Sequence, residues 1–205
     1  MTTRFDTNML ARAQQLAILA LRFSRVERVT RHEDGVRPET DSDHSIMLAL
    51  VACDLAPPGL SKARIAEYAV VHDLVEAYSG DVQTLTIDAA GRLAKEEREK
   101  LAFARIRAEL GLGSWVVRKL ASYEAQVERE ARYVRLMDKV LPKLTHLFNG
   151  CCAASRLTDR AGFIAAHEAQ HLKLSCEYGG EEWATPILDL LRDAMLASEA
   201  AWVDL

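Results

Sequence analysis

Two adjacent residues, His72 and Asp73, are the strongest chemical signal in this sequence, because both are common metal ligands and they end an apolar, helix-like run. Glu76 and Asp81 follow within the same phrase, HDLVEAYSGD. Neighbouring residues on a helix point about 100° apart, so both can reach one ion only if it sits against that helix end. The doublet therefore predicts a metal site that other segments complete.

Two candidates for completing the site lie in other apolar runs. His44 stands at the start of DHSIMLALVACDLA, and Asp138 lies within ARYVRLMDKVLPKL. An unpaired carboxylate in such a run is costly to bury, and a divalent cation would remove that cost. His44 and Asp138 are therefore candidate ligands together with the doublet.

Composition limits the class of protein. A chain of 205 residues can bury a core as one domain, and no stretch has the composition of a linker. The net charge of −4 gives no reason to expect bulk attraction to nucleic acid or membranes. Without a secretory signal or a transmembrane-length apolar stretch, the chain is expected to be soluble and cytoplasmic. Reduced, packed thiols are expected of the four cysteines, which lack CxxC spacing.

Apolar residues recur at three- and four-residue spacing, which predicts an all-α fold. The first helix is expected to follow an Asp6 N-cap, with these core candidates: Leu10, Leu16, Leu19 and Phe23. A polar stretch over 26–43 interrupts the pattern. The other expected helices run from His44 to the Ala56 stop, from Ser61 to Tyr78, over about 88–110, after Ser114, from Glu128 to Asn149 with a kink at Pro142, and on both sides of Gly179–Gly180.

The order His44, His72-Asp73, Asp138 resembles the H…HD…D pattern of the HD-domain metal-dependent phosphohydrolases. The phrases RPETDSDHS, HDLVEAYSGD and ARYVRLMDKV look like the YfbR-like 5′-deoxynucleotidase subfamily, over roughly residues 20 to 150. The resemblance implies that these four residues bind one divalent metal ion. Their mixed imidazole and carboxylate ligation suits Mn, Fe, Co, Ni or Zn, and Mg stays open. Dinuclear relatives add histidines between the doublet and the last aspartate, and this chain has none there.

The resemblance also implies an HD-domain helical bundle with additional C-terminal helices. We expect a single domain over residues 1–205, with a core of roughly 7–150 and a helical extension over 151–205. The helices after residue 150 either complete the core or form a dimer interface, and a homodimer is expected.

Two acidic residues after the doublet are predicted to act in catalysis. Glu76 falls one helical turn beyond Asp73 and is the candidate to orient or deprotonate an attacking water. Asp81 follows the Gly80 turn. The resemblance implies that it contacts the substrate or the leaving group, whereas its position after a glycine is also typical of a helix or turn cap. A bound metal would lower the pKa of water and neutralise phosphoryl charge.

Several arginines lie between positions 22 and 37, where an acidic protein could hold a phosphate group. The resemblance aligns Arg28 with the family's substrate-phosphate arginine, and Arg25 is the competing choice. Bacterial relatives have a tryptophan next to that arginine, thought to sense the sugar. This chain has Val29 there, so weaker selection for deoxyribose is expected.

These observations predict hydrolysis of nucleoside 5′-monophosphates to nucleoside and phosphate. The alternatives are a dNTP triphosphohydrolase and a metal-binding nucleotide sensor without turnover. The expected partner is a small-molecule nucleotide, with no nucleic acid and no membrane.

A second motif, HEAQH at 167–171, satisfies the H-E-x-x-H pattern of zinc proteases. The longer protease pattern would need Gly in place of Leu174 and His in place of Glu177. Because short patterns arise by chance in such helices, we expect this segment to lie on the exposed face of a C-terminal helix.

Overall fold

The fold is all-α apart from one small hairpin, and the computed structural model describes residues 7–203. The helices and strands are, in chain order, α1 (Thr7–Phe23), β1 (Glu27–Arg31), β2 (Pro38–Thr40), α2 (Asp41–Asp54), α3 (Lys62–Val71), α4 (Glu76–Ser79), α5 (Ala89–Leu110), α6 (Trp115–Ala125), α7 (Arg129–Asn149), α8 (Arg160–Tyr178) and α9 (Thr185–Ala200). A short 3-10 helix covers Ala154–Arg156. Within residues 7–203, no helix combines the length and apolar character needed to cross a membrane.

Most helix boundaries follow side-chain and glycine signals in the sequence. At the start of α2, Thr40 and Asp43 form a capping box, in which each side chain binds the other's backbone N–H. The Asp88 side chain accepts a hydrogen bond from the third residue of α5, and Gly150 ends α7 in the left-handed region at φ 61°. The Asp6 cap expected for the first helix lies outside the described residues.

The helix expected from Ser61 to Tyr78 is wrong as a continuous element, because it breaks at the His72-Asp73 doublet. α3 ends at Val71 and α4 begins at Glu76. Between them, the backbone N–H groups of Leu74 and Glu76 donate to carbonyls three residues back rather than four. This tighter turn changes the direction in which the doublet side chains leave the backbone.

The polar stretch before His44, in which no strand was expected, forms an antiparallel hairpin of β1 and β2. Glu27 pairs with Thr40 and Arg31 pairs with Pro38. Gly35 turns the chain at φ 68°, and the Asp34 carboxylate accepts hydrogen bonds from two backbone N–H groups of the turn. The strand signal is weak in the sequence because both faces of this short hairpin carry polar side chains.

α7 is the central helix of the main core and packs against α2, α3 and α9. Its side chains Tyr133, Met137 and Leu141 are fully buried, and Pro142 lies inside it. Leu191 and Met195 of α9 belong to the same cluster. Of the two roles open to the helices after residue 150, α9 therefore takes the first and completes the core.

A second core joins α1, α5 and α6. Of the core candidates on α1, Leu19 and Phe23 are buried and Leu16 is partly buried, whereas Leu10 is 63% exposed, so that part of the expectation is wrong. All four cysteines are free thiols, but Cys176 is exposed rather than packed.

Candidate metal centre and the cleft beside it

Three helices bring four potential metal ligands to one point. His44 lies on α2, His72 and Asp73 directly follow the last residue of α3, and Asp138 lies in the middle of α7. One ligand atom from each residue lies within 4.8 Å of the others. The cluster forms because α3 packs against both α2 and α7.

The His72 ring is held in one orientation by the backbone. Its Nδ1 donates a hydrogen bond to the Ala69 carbonyl at 2.9 Å, so Nε2 carries the lone pair of the neutral ring. Nε2 is buried without a hydrogen-bond partner among the described residues, and it lies 2.9 Å from Asp73 Oδ2. Two electron-rich atoms this close fit a cation that both can bind.

The His44 ring lies between two carboxylates. Its Nδ1 is 2.9 Å from Glu39 Oε1, and its Nε2 is 2.8 Å from Asp138 Oδ1. Burial lowers the pKa of His44, but the hydrogen bonds to Asp138 and Glu39 outweigh burial and raise it to about 9. A carboxylate on the outer ring nitrogen is the usual support for a metal-binding histidine, and a metal at Nε2 would take the place of the proton there.

The aspartates of the cluster are held as anions. Burial raises the pKa of Asp138, but Lys139 and His44 outweigh burial and hold it well below its ordinary value. For Asp73, burial likewise raises the pKa, but surrounding positive charge, including the Arg28 guanidinium 3.2 Å away, leaves it lowered. Two imidazole nitrogens and two carboxylates are a donor set that fits a divalent metal ion.

Arg28 is the predicted phosphate contact that reaches this cluster. It lies on β1, and its Nη1 is 3.0 Å from Asp41 Oδ1 and 3.2 Å from Asp73 Oδ2. Burial lowers the pKa of Arg28, but the surrounding carboxylates, Asp73 first among them, outweigh burial and raise the pKa above its ordinary value. Arg25, the competing choice, is exposed and does not line the cleft.

Glu76 and Asp81 both lie beside the cluster. Glu76 is the first residue of α4 rather than one turn along the helix of Asp73, and its Oε1 accepts a hydrogen bond from Lys95 Nζ at 2.8 Å. Its Oε2 is buried without a hydrogen-bond partner within residues 7–203. Burial and the nearby Asp73 raise the pKa of Glu76. Asp81 lines the cleft together with Arg28.

Four residues of the site carry no role in the sequence interpretation. Glu39 is a buried partner of His44, and Asp41 is a buried partner of Arg28. Lys95 pairs with Glu76, and Lys139 pairs with Asp138. The signal for the first two is the phrase RPETDSDHS, where a capping box fixes the start of α2. The two lysines are ordinary helix-surface residues in the sequence, so no local signal identifies them.

A cleft of about 580 Å³ runs from the metal cluster between α7 and α8. His167 lines its far end and is only 1% exposed, so the expectation of an exposed HEAQH face is wrong for this residue. Glu168 is exposed, as expected. Among residues 7–203, the group of side chains that could hold a metal ion is the one at His44, and it includes neither HEAQH histidine.

Several relatives of this chain are named as 5′-deoxynucleotidases. The 5′-deoxynucleotidase HDDC2 of Danio rerio is 31% identical over 106 residues, which cover 51% of this chain and 52% of that protein. The 5′-deoxynucleotidase hdd1 of Schizosaccharomyces pombe is 26% identical over 107 residues, covering 50% of this chain and 54% of that protein. The chain thus spans about half the length of the curated relatives it matches.

A solved structure and a family model cover more of the chain. A protein described as a predicted metal-dependent phosphohydrolase from Magnetospirillum magnetotacticum MS-1 has a TM-score of 0.74. The match covers 97% of this chain and 100% of that protein's chain at 19% sequence identity, and it therefore shows a shared fold. The family model described as HD domain matches residues 21–174, which include all four candidate ligands. This chain therefore belongs to the HD domain family.

Proposed function

We propose that this protein is a metal-dependent phosphohydrolase that removes phosphate from nucleoside 5′-monophosphates. The observation that carries the proposal is the meeting of four ligand atoms within 4.8 Å, with the Arg28 guanidinium 3.2 Å from the Asp73 carboxylate. Phosphate-ester hydrolysis needs an activated water and positive charge around the phosphoryl oxygens, and both would lie side by side here. The 5′-deoxynucleotidase names of the relatives support the same reaction.

The resident cofactor in this proposal is one divalent metal ion held by His44, His72, Asp73 and Asp138. Mn, Fe, Co, Ni and Zn suit the donor set, and Mg is tested with them. When bound, such an ion lowers the pKa of coordinated water towards about 7 and neutralises phosphoryl charge. The chain contributes a rigid arrangement of ligands, because both histidine rings are fixed through their outer nitrogens.

The other side chains take roles that follow from their contacts. Arg28 donates hydrogen bonds to the phosphate oxygens, and its pairing with Asp41 holds the guanidinium in place. Glu76 orients the attacking water through Oε2, while Lys95 holds the other carboxylate oxygen. Asp81 contacts the leaving nucleoside. Water forms a new bond to phosphorus, the bond from phosphorus to O5′ breaks, and the proton ends on O5′.

A second candidate substrate is a deoxynucleoside triphosphate. The cleft is lined by basic side chains that the sequence does not reveal as a group: Arg92, Lys95, Lys139 and Lys173. These residues would suit a more highly charged phosphate tail. Val29 also lines the cleft, where its small side chain supports weak discrimination between ribose and deoxyribose.

One panel tests these alternatives. The protein is stripped with a chelator, reloaded with Mn, Co, Ni, Zn or Mg, and incubated with ribo- and deoxynucleoside mono- and triphosphates. Orthophosphate and nucleoside from monophosphates are the expected products. Tripolyphosphate from a dNTP would support the second candidate. Nucleotide binding without product under every metal would contradict hydrolysis and favour a sensor without turnover.

We also propose that residues 1–205 act as one domain and that the protein works in the cytoplasm as a homodimer, without nucleic-acid or membrane partners. The packing of α9 on α7 supports one domain, and the net charge of −4 supports the absence of polyanionic partners. Isologous dimers are the commonest soluble oligomers. Light scattering coupled to size-exclusion chromatography is expected to give twice the mass of 22.8 kDa.

A further inference from the structure

The far end of the cleft carries polar side chains that the proposed reaction does not use. Lys143 and His146 come from α7, while His167 and Gln170 come from α8. All four line the cleft that also contains two of the candidate metal ligands. This end of the cleft is called the inner subsite below.

The inner subsite contains polar atoms that are buried without partners. His146 Nδ1, His167 Nε2 and Gln170 Oε1 have no hydrogen-bond partner among the described residues. Lys143 is 5% exposed and forms no ion pair within residues 7–203. Buried polar groups are normally satisfied, and leaving them unpaired costs free energy. Three such atoms and the Lys143 ammonium at one end of a cleft indicate a ligand that satisfies them.

The hydrogen-bonding capacity of these atoms identifies the chemistry of that ligand. His167 Nδ1 donates to the Glu199 carboxylate at 3.3 Å, and burial lowers the pKa of His167 to about 2, so Nε2 is an acceptor. Gln170 Oε1 also accepts, whereas the Lys143 ammonium donates. A phosphate group only accepts and would face two acceptors here. The ligand must both donate and accept, as the polar edge of a purine or pyrimidine does.

The position of the inner subsite agrees with the size of a nucleotide. Lys143 and His146 follow Asp138 by five and eight residues on α7, which places them about 8 and 12 Å along the helix axis from that ligand. This span is comparable to the distance from the phosphate to the base in a nucleoside monophosphate. Leu157 and Leu174 also line the cleft and offer apolar surface to a planar ring.

We propose that the inner subsite, formed by Lys143, His146, His167 and Gln170, binds the nucleobase of the substrate. This inference rests on the proposed function and deepens it, because it assigns α8 a direct role in substrate recognition. The base is held through its hydrogen-bonding edge, while the phosphate lies at the metal cluster and Arg28.

The test uses two conservative variants, Gln170→Leu and Lys143→Met, and the control His171→Ala, which lies on α8 outside the cleft lining. Binding of deoxyadenosine and thymidine to the metal-loaded full chain is measured by calorimetry. We expect at least about tenfold weaker binding in both variants and unchanged binding in the control. Because Lys143→Met removes an unpaired buried charge, we also expect its Tm to be equal or higher, which excludes unfolding as the cause.

A kinetic comparison supplies a second measurement. In the two variants, kcat/KM for dAMP and TMP should fall about tenfold, while kcat/KM for deoxyribose 5-phosphate, which lacks a base, should stay unchanged. Equal losses on all three substrates, or nucleoside binding that neither variant alters, would overturn the inference. Wild-type protein that binds no nucleoside would also overturn it. If nucleosides bind through these residues but no monophosphate is hydrolysed, the inference stands and the proposed function fails.

Discussion

The molecule contains two buried pairs of histidines that differ in their electrostatic surroundings. The rings of His44 and His72 lie 5.5 Å apart at the metal cluster, and those of His146 and His167 lie 6.5 Å apart in the inner subsite. All four side chains are almost fully buried. Burial therefore does not distinguish the two pairs.

The pairs differ in how closely carboxylates surround the rings, since at the second pair the Glu199 carboxylate lies 3.3 Å from His167 Nδ1. At the first, Glu39 and Asp138 lie within 2.9 Å of His44, and they raise its pKa to about 9 against the effect of burial. At the second, burial and the positive Lys143 lower the pKa of His146 to about 3. A buried histidine thus favours a cation where carboxylates lie close to both ring nitrogens, as they do at His44, and otherwise stays a neutral hydrogen-bonding group.

The largest expected effect is a difference in bound metal between variants of the two histidine pairs. His72→Ala should abolish stoichiometric binding of the divalent ion and all hydrolysis, because it removes a ligand whose lone pair faces the cluster. His167→Ala and His171→Ala should keep the metal. Elemental analysis by mass spectrometry after reloading and gel filtration checks both statements. Metal loss in the His171 variant together with retention in the His72 variant would reverse the assignment.

A second prediction separates the chemical step from metal binding at the His44 and His72 pair. Glu76→Ala should keep metal and nucleotide binding, while kcat falls by about 10²–10⁴, the usual cost of losing a positioned acid–base group. The control is Glu96→Gln on the exposed surface of α5. Steady-state kinetics and metal analysis on the same preparations provide the comparison. A parallel fall of metal content and activity would make Glu76 a ligand or a support for one.

The third prediction compares two neighbouring arginines. Arg28→Ala should lower kcat/KM for monophosphates by about 10- to 100-fold, because a hydrogen bond to a charged group contributes about 1.5–3 kcal/mol. Arg25→Ala should change little, since Arg25 is exposed and outside the cleft lining. Initial-rate measurements on several monophosphates test the pair. An Arg28 variant with unchanged kcat/KM on all of them would remove this residue from the phosphate site.

The smallest effect concerns the second histidine pair and appears as pH-dependent stability. The unfolded chain binds protons at His146 and His167 below about pH 6.5, whereas the lowered pKa values of about 3 and 2 keep the folded state neutral there. The free energy of unfolding should therefore decrease as the pH falls from 6.5, by about 2 kcal/mol per histidine at pH 5.

Urea denaturation of metal-stripped protein at pH 7 and pH 5 measures this dependence. His146→Phe should reduce the difference in the free energy of unfolding between the two pH values. A His146→Phe protein with the full wild-type pH dependence would show that this residue does not titrate between the two conditions.

The sequence predicts local structure well where the signal is local. The all-α class, the extent of α5 over about 88–110, the start of α6 after Ser114 and the end of α7 before Gly150 follow from periodicity and turn residues, and the structure agrees. The break at His72 and the hairpin before His44 are not predicted. Both depend on tertiary contacts that override a continuous helical pattern or supply partners to a polar segment.

For the site, the sequence indicates which residues bind together but not what surrounds them. The candidate metal ligands stand out because histidine and aspartate occur there within apolar runs and in the order that resembles the HD-domain pattern. The roles of Lys95 and His167 arise from pairings of residues far apart in the chain, with Glu76 and Glu199 respectively. In the sequence, Lys95 resembles any surface lysine of a charged helix and His167 belongs to a motif that arises by chance. Only the packing of the helices distinguishes these two residues from their neighbours.

The hairpin of β1 and β2 carries a partner of a candidate metal ligand and the proposed phosphate contact. Arg28 on one strand reaches Asp73, and Glu39 on the other orients His44. Because the strands pair with each other, opening of the hairpin would release both contacts together. Binding at either place would therefore favour the paired hairpin. By thermodynamic reciprocity, any factor by which a bound metal strengthened phosphate binding would equal the factor by which phosphate strengthened metal binding.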